Sequence, residues 1–564
     1  MNQPRIVNPK VATFLLGVSI FFTGASGLVG EYILSTLASY LLGNSIEQFS
    51  VTIALMLGMM GIGGWVQKYI NDSFLLEKFI LIETLLALSI GFAPLAIYAA
   101  FGFLETHFLL ILYAFILTIG FLIGFEIPLI IRINEHYASA LKSNLSTVIS
   151  ADYFGSLVGA LVWVYWMLPN FTLAENGFIL SSLNFVIAVI TVVYLGLHSL
   201  LQKKKSIVFM ILFSTIFLIY GALHAKQWNI QLQQHLYNDK IVLLETTKYQ
   251  QLVVTHSLKR DEYRFYINGN LQFSSLDEYR YHEQLLHPVV HMAKNRRDVL
   301  VLGGGDGMAL RELAKYKEIT SITLVDLDPA LVKIASTSSV FTQLNNNAYS
   351  KANIYDMSSS DAVSSIGKQE LKPLNYDKNS FLNLPKDSSV TLDVMNIDAD
   401  RFLDEIVAKR FDIVVIDFPD PSSIDLNKLY TKEFYLKLKR LMREDAMFVV
   451  QSTSPFQSNT AFTCIGNTLE ASGFETIKYH DNIPTFGEWG WHIGWKKGRY
   501  ERDKLLQKVS LLENFKVQTR HLSPQFFIAS TQFPKGKEVK NIGINTLMEP
   551  KLFMLYNKDA WYYE

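Results

Sequence analysis

The sequence predicts two different structures in one chain. The first is an N-terminal bundle of about seven membrane-spanning helices. The second is a C-terminal α/β domain of Rossmann-like form, preceded by a small antiparallel β-sheet. Three observations predict this. Charge is unevenly divided: the first 225 of the 564 residues hold 19 charged side chains and the rest hold 83, about 8% against about 24%. The charge-poor part consists of long apolar runs. The charge-rich part alternates strand-like and helix-like patterns around a glycine loop. Basic and acidic residues number 51 each, so the chain lacks the basic excess of a broad nucleic-acid binder. A single cysteine, Cys464, excludes an intramolecular disulfide framework and a Cys-rich zinc site. The expected organisation is a membrane part over 1–227, a β-sheet subdomain over 228–275, a Rossmann-like domain over 276–500 with a polar insertion near 342–389, and a C-terminal extension over 501–564.

Spans are expected near 11–41, 49–67, 79–101, 107–131, 147–168, 176–200 and 206–225, each sufficient for a helix of about 20 residues across the hydrocarbon. The first is overlong and contains Gly24, Gly27 and Gly30, which predicts a tilt or kink. It is also longer than the apolar core of a secretion signal. Lys and Arg follow spans two, four and six and are absent after spans one, three and five, which places the N-terminus in the cytoplasm. Seven spans would then put the C-terminal domain outside. Glu31, Glu83, Glu126 and Asp152 lie in or near apolar runs, a pattern that suggests a cation site inside the bundle, or acids that sit at helix ends or pair with Ser, Tyr or Asn within it.

In the second half, Ile241–Leu244, Gln251–His256 and Tyr263–Ile267 read as short strands, and Asn268-Gly269 as a hairpin turn. A helix is expected over 277–294. Strand candidates then recur at Val299–Leu302, Ile322–Val325, Val390–Met395, Ile413–Ile416, Met447–Gln451 and Thr476–Tyr479, with helices between most of them. This predicts a mostly parallel sheet covered on both faces.

The chemical signal begins where Val299–Leu302 runs into Gly303-Gly304-Gly305-Asp306-Gly307. A glycine loop between strand and helix lets backbone approach a ligand closely. Asp326 ends the next strand about 20 residues later, where an acid accepts hydrogen bonds from ribose hydroxyls. The dinucleotide fingerprint fails at Met308, and Gly-x-Gly-x-Gly fits an adenosylmethionine-type, methyltransferase-like fold better. Asp306 inside that loop would repel a ligand carboxylate and attract an ammonium, which favours decarboxylated S-adenosylmethionine. Asp417 and Asp420 follow the strand Ile413–Ile416, at the sheet edge where open α/β folds bind ligands. Clustered carboxylates suit a polycationic substrate.

These segments resemble the spermidine synthase (polyamine aminopropyltransferase) family, in its membrane-fused form. Tyr249-Gln250, Gly269–Gln272, Tyr281-His282-Glu283, Gly303–Gly307, Val325–Asp328, Asp417–Pro421, Gln451–Pro455 and Pro484–Gly490 carry the resemblance. It implies Asp417 as general base, with His282, Tyr281, Asp306 and Asp420 binding the substrates' amine groups. It implies Gln250, Gly303, Gly305, Asp326, Asp398 and Ala399 around the thioadenosine. The implied reaction transfers an aminopropyl group from decarboxylated S-adenosylmethionine, as co-substrate, to a diamine, with putrescine the leading acceptor, giving spermidine and methylthioadenosine. No prosthetic group, metal or nucleic acid is expected. A homo-oligomer in the cell membrane is expected, with the catalytic domain facing the cytoplasm because the donor is made there. The alternative is a membrane polyamine sensor or transporter with a binding-only domain. Phe418-Pro419 and Phe486 depart from the soluble relatives and leave the acceptor open among putrescine, agmatine, cadaverine and spermidine.

Overall fold

A computed structural model describes residues 9–42, 45–135, 141–197, 204–356, 390–406, 409–535, 539 and 541–560. The chain forms two compact units, Met1–Lys248 and Tyr249–Glu564.

Among its described residues the first unit has seven helices long and apolar enough to cross a membrane. They are α1 (Pro9–Leu42), α2 (Ser45–Val66), α3 (Leu75–Phe103), α4 (Phe108–Asn134), α5 (Leu141–Val162), α6 (Leu173–Leu197) and α7 (Lys204–Gln234). Strand β1 (Lys240–Thr246) follows them. Helix α1 runs without interruption, and its glycines mark contacts: a Cβ on Gly24 would lie 2.3 Å from the Asp152 carbonyl oxygen of α5. Small residues let helix backbones approach where no hydrophobic force between helices is available. At Gly124 of α4 a Cβ would lie 2.0 Å from the Met60 carbonyl of α2.

Two of the four acids meet in the middle of this unit. Glu83 and Glu126 are 1% and 0% exposed. Thr23 Oγ1 donates to Glu126 Oε1 (2.6 Å), and Asn184 Nδ2 donates to Glu83 Oε2 (2.5 Å). Thus α1, α3, α4 and α6 share one buried polar cluster, as buried polar groups require partners.

In the second unit, β2 (Gln251–Ser257), β3 (Glu262–Ile267) and β4 (Asn270–Ser274) form an antiparallel meander. The β3–β4 turn is at Asn268-Gly269, both with positive φ, as the hairpin signal requires. Helix α8 (Glu278–Met292) leads into an eight-stranded sheet. Its strands are β5 (Asp298–Gly303), β6 (Ser321–Asp326), β7 (Ala352–Asp356), β8 (Thr391–Asn396), β9 (Phe411–Asp417), β10 (Met442–Gln451), β11 (Phe474–Ile483) and β12 (Gly487–Lys496). The order is β11-β12-β10-β9-β5-β6-β8-β7, antiparallel only where β12 pairs with β10 and β11. Central strands such as β9 are continuous buried runs of Ile and Val, as expected for a sheet covered on both faces.

Two elements differ from the sequence reading. Strand β7 lies within the stretch set apart as a polar insertion. It is an edge strand that buries only Ile354 fully, so its polar composition hid it. The remainder of that stretch, 357–389, lies outside the described residues. Strand β12 was unexpected because glycine is depleted in strands. Here Gly494 makes room for the Phe448 ring, which a Cβ would meet at 2.3 Å, and Gly490 does the same for Phe462.

Candidate active site

The site is built on the carboxyl ends of β5, β6 and β9. Strand order reverses between β5 and β9, the crevice where open α/β sheets bind ligands. Gly303 and Asp417 are paired across this crevice. Gly303 has φ +82°, and a Cβ there would lie 2.2 Å from the Asp417 carbonyl oxygen. Any other residue would force the glycine loop away from β9.

The loop also closes on β6. The Gly305 amide donates to Asp326 Oδ2 (3.0 Å), and the Asp328 amide donates to Asp326 Oδ1 (2.9 Å). A Cβ on Gly305 would sit 2.5 Å from that carboxylate. Burial pushes Asp326 up to about 7, against the lowering by these two amides. Gln250 Nε2 donates to Asp328 Oδ2 (2.9 Å), so Gln250 acts beside Asp326 and not on it. Tyr349 Oη donates to the Gly305 carbonyl (2.7 Å), bracing the loop from outside.

Asp398 caps the short helix α10 (Ala399–Glu405) by accepting from the Arg401 amide (3.1 Å). It also receives Lys428 Nζ at 2.7 Å. Ala399 is buried at the start of that helix. These two stand at the end of β8, next to β6 in the sheet.

Around Asp417 the acids gather as the sequence suggested. Tyr281 Oη donates to Asp417 Oδ1 at 2.6 Å. Burial raises Asp417 to about 6, with nearby His282 opposing and nearby Asp306 adding to the shift. His282 Nδ1 donates to the Glu278 carbonyl (2.8 Å) and to Glu278 Oε2 (2.9 Å), all on α8. Burial alone would lower His282, but its Glu278 partner, Asp306 and Asp417 raise it to about 9, so the ring is cationic at neutral pH. Glu278 in turn holds Arg311 through two bonds of 2.8 and 2.9 Å. Asp306 Oδ1 accepts the Met308 amide (2.8 Å) at the start of α9 (Met308–Leu313), and burial raises its carboxyl.

Asp420 lies three residues beyond Asp417. Its Oδ1 faces Gln451 Nε2 (3.4 Å), and its Oδ2 accepts from Tyr556 Oη (2.8 Å). Burial pushes it up to about 6. Gln451 also donates to the Phe418 carbonyl (2.6 Å), and Tyr430 Oη donates to the Pro419 carbonyl (3.0 Å), so the loop after β9 is fixed from below. Trp491 is fully buried, stacks on Tyr479 at 5.5 Å and touches Tyr281, a wall behind the site.

Asp306 and Asp417 thus both act on His282, and Asp417 and Asp420 both act on Tyr281, so the three acids lie near these two side chains. Sequence reasoning missed the supporting groups. Glu278, Arg311, Tyr430 and Gln451 stand in or beside motifs it used, without a role. Tyr556 gave no signal at all, since it lies 136 residues from Asp420 in the chain.

The sequence also matches known proteins. Residues 278–504 match the model of the spermine/spermidine synthase domain. The chain is 34% identical to the polyamine aminopropyltransferase of Leptospira interrogans over 96% of this chain and 98% of that one. It is 36% identical to polyamine aminopropyltransferase 1 of Ralstonia nicotianae over 86% of this chain and 85% of that one. The spermidine synthase structure from Thermotoga maritima aligns with a TM-score of 0.40 at 20% identity, over 52% of this chain and 84% of that one. With more than a third of its residues shared along nearly the full length of such a relative, the chain belongs to the spermine/spermidine synthase family and is an enzyme of the polyamine aminopropyltransferase type.

Proposed function

We propose that the chain transfers the aminopropyl group of decarboxylated S-adenosylmethionine to putrescine, giving spermidine and methylthioadenosine. The observation that carries this reading is the side-by-side pairing of Gly303 with Asp417 at the strand ends, with Asp306 and Asp420 gathered nearby. One crevice thus joins a nucleoside cradle to a carboxylate base and two further acids.

Each group has work suited to its place. Asp326 would take the ribose hydroxyls, whose donated hydrogen bonds favour its charged form. Gln250, Gly305, Asp398 and Ala399 would frame the thioadenosine. Asp306 would face the donor's ammonium, at the position where S-adenosylmethionine carries a carboxylate. Asp417 removes a proton from the attacking amine. The nitrogen's lone pair then forms a C–N bond to the methylene next to the sulfonium. The C–S bond breaks, its electron pair stays on sulfur, and a neutral thioether leaves. Asp420 holds the other ammonium of the diamine. Tyr281 keeps Asp417 aimed. Holding nitrogen and carbon in line supplies much of the rate, since well-oriented groups reach effective molarities of about 10⁵ M or more.

The seven apolar helices support a multi-pass membrane protein, with this site on the cytoplasmic side where the donor is made. The loop charges alone point to the other side, and the chemistry is given precedence.

The test is the purified full-length protein with isotopically labelled donor and a panel of di- and triamines, read by product mass. Equal amounts of spermidine and methylthioadenosine from putrescine are expected. A methylated product from S-adenosylmethionine, or no product with any amine, removes the reading.

A further inference from the structure

The C-terminal extension places a side chain in the amine site. Helix α11 (Lys551–Ala560) is clamped at both ends. Before it, Asn545 is fully buried. Its Nδ2 donates to the Asn427 and Tyr430 carbonyls (3.2 Å each), and its Oδ1 accepts the Leu552 amide (3.2 Å). At its far end, Asp559 Oδ2 accepts from the amide (3.0 Å) and hydroxyl (2.6 Å) of Thr460, in the first turn of the helix Asn459–Ala471. Between the clamps, Leu552 joins the apolar cluster that contains Ile416 and Phe418, and Tyr556 packs against it. The Phe553 amide donates to Asn427 Oδ1 (3.0 Å), tying the helix to the segment just after Asp420.

This framework fixes the Tyr556 hydroxyl 2.8 Å from Asp420 Oδ2. The carboxylate has one oxygen turned to Gln451 and the other to Tyr556. Its orientation is therefore set from a helix well over a hundred residues away, whose ends are both anchored in the same unit. An acid meant to grip an ammonium must keep its lone pairs pointed at the ligand and stay ionised. A phenol donor on one oxygen does both, because a hydrogen bond to the charged form favours it.

We infer that Tyr556 is a positioning residue for the acceptor amine, acting through Asp420. This rests on the proposed function, which makes Asp420 the anchor of the diamine's second ammonium. The hydroxyl is one of the two side-chain donors that lower Asp420 against its burial. Removing it therefore moves the proton affinity of Asp420 upward.

The test is Tyr556→Phe in the full-length chain, which keeps the ring and its packing. The KM for putrescine should rise about tenfold, the size expected for one hydrogen bond to a charged group. The donor KM should stay within about twofold, and the acid limb of kcat/KM for the amine should move to higher pH. Diamine binding in the presence of methylthioadenosine, measured by calorimetry, should weaken by a similar factor. Tyr556→Phe with the parent's acid limb and amine KM overturns the inference while leaving the transferase reading intact. A parent chain that neither transfers to nor binds any amine overturns both.

Discussion

In the proposed reaction, Asp417 is the residue on which the chemistry turns. Asp417→Asn should lower kcat by at least about a hundredfold, the lower range for a general base. Methylthioadenosine affinity should stay within about threefold, because Asn keeps the Tyr281 contact and the loop geometry. Retained transfer in a rate assay would remove Asp417 as the base. The pH profile should also report it. Both Asp417 and Asp420 are raised to about 6 and both must be ionised, so activity should fall as pH drops through about 6. The apparent value would belong to the neighbouring acids together and not to either alone. Asp306→Asn addresses the donor. The ratio of affinities for decarboxylated and intact S-adenosylmethionine should shrink at least about tenfold, because the charge that rejects a carboxylate is gone. An unchanged ratio by equilibrium binding would defeat that role. All three acids were legible in the sequence because each lies at a strand end or a few residues beyond it. Their ionisation was not legible, since it depends on burial and on His282, which only the fold supplies.

At the scale of elements, glycines do different work in the two units. In the C-terminal sheet, Gly305 lies where a side chain would meet Asp326. Gly305→Val should therefore abolish methylthioadenosine binding, while β5, whose core is buried Val and Leu, remains folded. In the helical unit, Gly124 lets α4 lie against Met60 of α2. Gly124→Leu should cost about 1–3 kcal/mol as an overpacking change, seen as a lower melting temperature of the detergent-solubilised protein. An unchanged melting temperature would mean that the two helices are not held at that distance. The sequence reading took the glycines of the first span as a source of bending. Gly24 also lets α1 approach the Asp152 carbonyl of α5 closely, a use that local sequence cannot tell from bending because both need only a missing Cβ.

At the scale of the whole molecule, the proposed membrane location predicts a cytoplasmic C-terminal unit. Cys464 is an unsuitable reporter: it is 0% exposed, and burial pushes its thiol up to about 11. A cysteine at Leu511, 77% exposed, in a Cys464→Ser background is the better probe. It should resist an impermeant maleimide in intact cells and react after permeabilisation. Labelling in intact cells would place the soluble unit outside and leave the donor unable to reach it. The sequence by itself determined the division into an apolar helical part and a charged α/β part, the central strands, and the acids at their ends. These follow from periodicity and composition, which act over a few residues at a time. The tertiary structure decided what distant segments do to one another. It brought Glu83 and Glu126 together from separate helices, turned a glycine-rich motif into β12, and set Tyr556 on Asp420. Such contacts depend on how elements pack across the chain, and no local pattern encodes a partner more than a hundred residues away.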